Sequence, residues 1–310
     1  MDTEWRRQYA SSAETPIDEV DITNDFMFSY VMRDPEICTR MLEYLLPDRR
    51  IHHIEYIDLD GRVAPAGAQM DTQKTLAEAF NKRGVRLDAY LDDGETVYNI
   101  EMQTAAQAAL VKRARLYQAH IDINQLDRGQ NFDQLKPSYV IFICKFDPFG
   151  RGLYRYTFRN VCAETTLELN DETYKVFFNT SAGGGAATGS LRELLTYMND
   201  TRAYAVSETS DALIRRIDQA VGVAKRDDEW RRAYMTYQAH LREAELRGEE
   251  RGIAIGEKRG EKKGIAIGEE RVARRFAETL LRRDFTEADV AELTGLPIEE
   301  VKKLKSQLVN

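Results

Sequence analysis

The sequence predicts a mixed α/β fold: a mixed central sheet flanked by helices, with a helical C-terminal extension. Three observations carry that expectation. SYVIFICKF (138–146) is a continuous apolar run rich in β-branched and aromatic residues, the pattern of a central strand covered on both faces. VRLDAYLDDGETVYNIEMQ (85–103) holds two alternating runs on either side of Asp93-Gly94, the pattern of a hairpin. LVKRARLYQAHIDINQL (110–126) reads as a helix between them, so strand and helix segments alternate along the chain.

Taken in order, residues 1–20 are polar and form a flexible N-terminal segment. ITNDFMFSYVMRDPEICTRMLEYLLP has apolar residues at helical spacing and divides into two helices at Asp34-Pro35. There Asp34 serves as N-cap, Pro35 sits in the first turn, and Pro47 ends the second helix. IHHIEYIDLD alternates weakly and reads as a strand, and the hydrophilic stretch 61–83 as a loop with a short helix. After the hairpin, the helix and the strand at 138–146, further strands are expected at 154–158 and 174–178. In SAGGGAATGS, Gly184 and Gly189 have phosphate-loop spacing, but Ser190 stands where that loop needs lysine, so the tract reads as a surface loop. LRELLTYM and SDALIRRIDQAV resume helical patterning, closing a domain expected to span 21–235.

The tail differs in kind. Glycines recur at 248, 252, 256, 260, 264 and 268 among Glu, Lys and Arg, so 236–272 reads either as a charged linker or as a self-associating helix. Each interior glycine costs a helix roughly 1 kcal/mol, a cost that close packing against a partner could offset. Residues 273–310 form a small helical module, with Thr286 and Asp289 as a capping box, a turn at Gly295 and a last helix from Pro297. The geometry is that of a helix-turn-helix. Its last helix opens Pro-Ile-Glu-Glu, which would repel phosphates, so a packing module is favoured over a base reader.

Composition narrows the function classes. Hydrophobic content of 43% and aromatic content of 9% over 310 residues fit a folded, core-forming protein. The net charge of -8 argues against a protein that coats nucleic acid through phosphate neutralisation alone. Cys38, Cys144 and Cys162 are widely spaced, without the pairing of a zinc site or disulfide framework, which suits a reducing cytoplasm. The first residues show no signal-peptide pattern, and no apolar run reaches membrane-spanning length.

The hairpin carries the chemistry. With Asp93-Gly94 as a two-residue turn, Tyr90 would lie opposite Val97, Asp88 opposite Asn99 and Arg86 opposite Glu101. Alternation then puts Arg86, Asp88, Tyr90, Asn99, Glu101 and Gln103 on one face and Leu87, Ala89, Leu91, Tyr98, Ile100 and Met102 on the core face. Asp88 and Glu101 become diagonal neighbours, with Cβ atoms about 5–7 Å apart. Two carboxylates so placed can share one hard divalent cation, which would polarise a phosphodiester and activate water. The alternative is plain: Arg86 and Asn99 could be exposed cross-strand partners of the two acids.

RLDAYLDDGETVYNIEMQ resembles the core of the Rpn family of recombination-promoting nucleases and transposase-like proteins, within the PD-(D/E)XK nuclease superfamily. NDFMFSYVM, KRARLYQAHID, YVIFICKFDPFG, LYRYTFRN and LELNDETYKVFFNT follow in the same order, over roughly residues 20–200. The resemblance implies a restriction-endonuclease-like fold and a Mg²⁺-dependent DNA endonuclease of recombination or transposition, with Mn²⁺ able to substitute. Asp88 and Glu101 match its two acidic positions, as metal ligands and catalytic groups. Gln103 takes the place of the superfamily's lysine, in an E-x-Q variant, and contributes hydrogen bonds instead of charge. Lys112, Arg113 and Arg115 are candidates for the missing cation, with Tyr117 beside them. Asp25 matches an acidic group of the first helix, or caps that helix. Cutting two strands implies a homodimer or higher homo-oligomer. An interaction protein that keeps the fold but is catalytically weak, assembling through its C-terminal helices, is the alternative function.

Overall fold

The structure is a computed structural model that describes residues 15–56, 89–106, 109–126, 129–182 and 187–308. The expected loop and helix at 61–83, the centre of the glycine tract, Arg86 and Asp88 lie outside the described residues. The chain divides into two units, residues 1–238 and 239–310.

In the first unit, α1 (Asp25–Val31) and α2 (Pro35–Leu45) are separated at Asp34-Pro35, as the sequence requires. Asp34 accepts from the amides of Glu36 and Ile37, and Asn24 caps α1 by accepting from those of Phe26 and Met27. Six strands follow: β1 (Glu55–Tyr56), β2 (Ala89–Asp92), β3 (Val97–Gln103), β4 (Ser138–Cys144), β5 (Arg155–Phe158) and β6 (Thr173–Asn179). They form one sheet in the order β1-β2-β3-β4-β6-β5. The β3–β4 and β4–β6 pairs are parallel and the other three antiparallel, a mixed sheet. Parallel neighbours need a crossover, and α3 (Leu110–Gln125) supplies the one between β3 and β4.

α3 lays Leu110, Ala114, Tyr117 and Ile121 on a sheet face built from Tyr90, Val97, Val140, Phe142, Cys144 and Phe177. Those helix positions, spaced by three and four, share one side. The opposite sheet side, with Leu91, Tyr98, Ile100, Ile141, Ile143, Val176 and Phe178, is equally buried. Every residue of β3 and β4 is therefore buried, which explains the unbroken apolar run of β4. α4 (Gly189–Asn199) and α5 (Ala212–Arg226) complete the helical layer, α5 touching both α1 and α2.

The hairpin register departs from the expected one. Asp92 pairs with Val97, Leu91 with Tyr98, Tyr90 with Asn99 and Ala89 with Ile100. The cause is the Asp93 side chain, whose Oδ1 accepts from the amides of Glu95 and Thr96, while the Asp93 amide donates to the Thr96 carbonyl. The loop thus holds four residues instead of two, with Gly94 at φ 92°. A slip of two residues keeps the same residues on the same face, so the expected division of the strand survives.

α6 (Asp228–Leu281) is a 54-residue helix that includes the glycine-periodic stretch. In the first unit its opening turns carry Trp230, Tyr234 and Tyr237, whose rings lie 5.1–5.7 Å from that of Phe26 on α1. In the second unit its last turns join α7 (Glu287–Thr294) and α8 (Ile298–Leu308) around Ala277, Leu280, Leu281, Val290, Leu296, Val301 and Leu304. Thr286 caps α7 and Gly295 ends it at φ 70°. No helix among the described residues is long and apolar enough to cross a membrane.

Burial also sets thiol reactivity. Cys38 and Cys144 are fully buried, and desolvation pushes both thiols up to about 12, whereas Cys162 is partly exposed. At pH 8 the buried thiols would be roughly 10⁻⁴ ionised. Ellman titration of the native chain should show one rapidly reacting thiol, and three after guanidinium unfolding. Two or more fast thiols in the native chain would contradict this packing.

Candidate active site

The sheet face beneath α3 is not uniformly apolar. Asn99, Glu101 and Gln103 alternate along β3 toward that helix, and all three are buried, Glu101 to 2% exposure. On β3 the polar residues therefore lie under a helix and not in water, while Arg86 and Asp88, the other halves of the cross-strand alternative, lie outside the described residues. Glu101 stands in register with Phe142 on β4, itself in register with Phe177 on β6, so an acid occupies the end of an aromatic row.

Arg113, from the first turns of α3, reaches down over this row. Its Nη1 donates to Gln103 Oε1 at 2.8 Å, and its Nη2 donates to Tyr117 Oη at 2.8 Å and lies 3.5 Å from Glu101 Oε2. The guanidinium also sits over the rings of Tyr117 and Phe142, at 5.5 and 5.9 Å. Of the three cations expected on this helix, the fold selects Arg113, because Lys112 and Arg115 point outward and are exposed. The attraction between a carboxylate and a guanidinium at this range is worth several kcal/mol, and desolvation of both groups offsets much of it.

Asn99 was legible only as a possible neighbour of Asp88, yet it completes the group. Its Nδ2 donates to Glu101 Oε1 at 3.3 Å, while its buried Oδ1 finds no donor among the described residues. A buried carbonyl oxygen without a donor, beside a carboxylate, is an arrangement that suits a hard cation. Gln103 is oriented at both ends, accepting from Arg113 and donating through Nε2 to the Met102 carbonyl at 2.7 Å.

Glu101, Gln103, Arg113 and Tyr117 thus come together as one cluster. Asp25 has a different partner: its Oδ2 accepts a hydrogen bond from Tyr237 Oη of α6, and Asn24, not Asp25, caps α1. Asp88 lies outside the described residues. Among those described, no group of three or more His, Cys, Asp or Glu is placed to hold a metal.

A mixed sheet whose central parallel pair is bridged by a helix, with an acid on the first strand of that pair, is the restriction-endonuclease-like α/β fold. The family comparison agrees: residues 22–181, just over half of the chain, match the PD-(D/E)XK nuclease family transposase, and the chain belongs to that family. Its core is accordingly nuclease-like, within a superfamily that generally uses divalent metals. No curated protein and no solved structure matches the chain.

If Arg113 compensates the buried Glu101, Arg113→Ala should lower unfolding free energy by about 2–3 kcal/mol in urea titration. Arg113→Ala with Glu101→Gln should recover part of that loss, because no charge is then stranded. A loss below about 0.5 kcal/mol for Arg113→Ala would mean that Glu101 is compensated elsewhere.

Proposed function

We propose that this chain is a metal-dependent DNA endonuclease, serving DNA recombination or transposition in the cytoplasm. Asp88 and Glu101 are its catalytic carboxylates, and Gln103 aligns the attacking water. The observation that carries the reading is the buried Glu101 with the donorless Asn99 oxygen beside it, inside a nuclease-family core. Asp88 directly precedes Ala89, and Ala89 pairs with Ile100, which directly precedes Glu101. The two acids therefore flank a described register pair.

Oxygen donors of this kind fit Mg²⁺, or Mn²⁺ in its place, with Asp88 and Glu101 as the ligands and Asn99 Oδ1 as a further acceptor. A bound ion would polarise the scissile phosphate and lower the pKa of attacking water. The protein's own part is positional. Gln103, held at its oxygen by Arg113 and at its nitrogen by the Met102 carbonyl, keeps one N–H to orient water or phosphate. Arg113 places a permanent positive charge 2.8 Å from the Gln103 oxygen, where it can stabilise charge developing on the phosphate. A lysine at position 103 would deliver that charge directly; here two residues divide the task.

The second reading, a nuclease-like protein that binds partners and cleaves weakly, is favoured by the Glu101–Arg113 contact, which competes with a cation for the same carboxylate. The deciding experiment is cleavage of supercoiled, linear and single-stranded DNA in Mg²⁺ by the wild type and by Asp88→Ala and Glu101→Ala. Losses of roughly 10²-fold or more are expected in both variants. Glu101→Gln should be equally inactive; because it keeps the side chain's shape and leaves Arg113 its contacts to Gln103 and Tyr117, it should unfold less readily than Glu101→Ala. Wild-type activity in Asp88→Ala and Glu101→Ala would eliminate the mechanism. Absence of Mg²⁺- or Mn²⁺-binding heat in the wild type would favour the second reading.

A further inference from the structure

Residues 252–268 read GIAIGEKRGEKKGIAIG, which is nearly the same in either direction about Gly260. Glycines 252 and 256 mirror 268 and 264, Ile253 mirrors Ile267, and Ala254 mirrors Ala266. Several charges mirror with inverted sign: Glu257 stands opposite Lys263, Arg259 opposite Glu261 and, just outside the palindrome, Glu249 opposite Arg271, whereas Lys258–Lys262 and Glu250–Glu270 keep theirs.

These residues all belong to α6 in the second unit and are exposed. Ile253, Gly256, Gly260, Gly264 and Ile267 follow one another at spacings of three and four, so they form one face of the helix, with Glu249, Glu257, Lys263 and Arg271 on or beside it. Ile253 is 55% and Ile267 64% exposed, and a Cβ placed on any of these three glycines would meet open space. The four charged residues make no ion pair among the described residues. A helix face with this composition is unpartnered among the described residues of its unit.

We propose that this face binds a second copy of the chain, as an antiparallel helix pair whose two-fold axis passes at Gly260. In a two-fold interface the same patch serves both sides, and an antiparallel helix pair brings each residue to the level of its mirror position. Ile253 then packs on the partner's Ile267, the central glycines let the two backbones approach closely, and Glu249 and Glu257 meet the partner's Arg271 and Lys263. A parallel pair reverses the electrostatics. Glu249, Glu257, Lys263 and Arg271 would each face its own copy, setting four like-charge pairs in place of four opposite ones. The mirrored charge order thus selects both the occupant and its direction.

The test uses the purified full-length chain carrying Cys162→Ser, with mass measured by light scattering and sites probed by oxidative cross-linking. A dimer is expected. Ile253→Cys and Ile267→Cys proteins, when mixed, should cross-link at least about tenfold faster than either alone. Cross-linking of each alone without enhancement in the mixture would indicate a parallel pair and overturn the proposal. A monomer at tens of micromolar would overturn it as well. Glu257→Lys should weaken the dimer by roughly tenfold, and the double reversal Glu257→Lys with Lys263→Glu should restore it. Residues 257 and 263 are six apart on one helix and do not meet within a chain, so rescue reports contact between copies. Failure of the double variant to recover would count against this register.

Discussion

A carboxyl group on an interior strand must be compensated where it stands, because burial strips away most of its hydration. Glu101 imposes that condition on this fold. The strand that carries it is covered on one side by helix packing and on the other by α3, and the response is a guanidinium lowered from α3 onto the strand. Gln103 and Tyr117 hold that guanidinium in place, and the rings of Phe142 and Tyr117 give it a flat bed. Such a pair adds little net stability, since desolvation offsets most of the attraction.

The route of the chain makes this arrangement possible. Because β3 and β4 run parallel, the connection between them has to cross the sheet, and the crossing helix lands on the face that carries Asn99, Glu101 and Gln103. An antiparallel partner joined by a tight turn would have left that face open. The parallel pairing therefore converts a polar strand face into an enclosed one, in which a few well-placed donors and acceptors act at reduced dielectric.

Much of this was legible in the sequence. The apolar run of β4, the division at Asp34-Pro35 and the helical spacing of 110–126 each specify an element through local chemistry, and the structure has those elements. The face shared by Glu101 and Gln103 was legible too, because strand alternation is insensitive to a slip of two residues. The register itself was not. It depends on one side chain, Asp93, bonding the backbone of its own loop in competition with a two-residue turn. Nor could alternation along β3 reveal burial, since Asn-Ile-Glu-Met-Gln reads the same beside water or beneath a helix. The choice of Arg113 over Lys112 and Arg115 needed the phase of α3 against the sheet, and the capping of α1 by Asn24 instead of Asp25 needed backbone angles. The long helix was undecidable from propensity, because six glycines weigh against it while their four-residue spacing weighs for it.

The acid and its cation are separated by only twelve positions, from Glu101 near the end of β3 to Arg113 in the first turn of α3. Closing so short a segment costs little chain entropy compared with the long-range pairings that complete the sheet. The cluster is therefore a local property of one strand–helix–strand unit, open to inheritance as a block. Changes elsewhere, in the edge strands or the tail, leave the polarity of this unit intact.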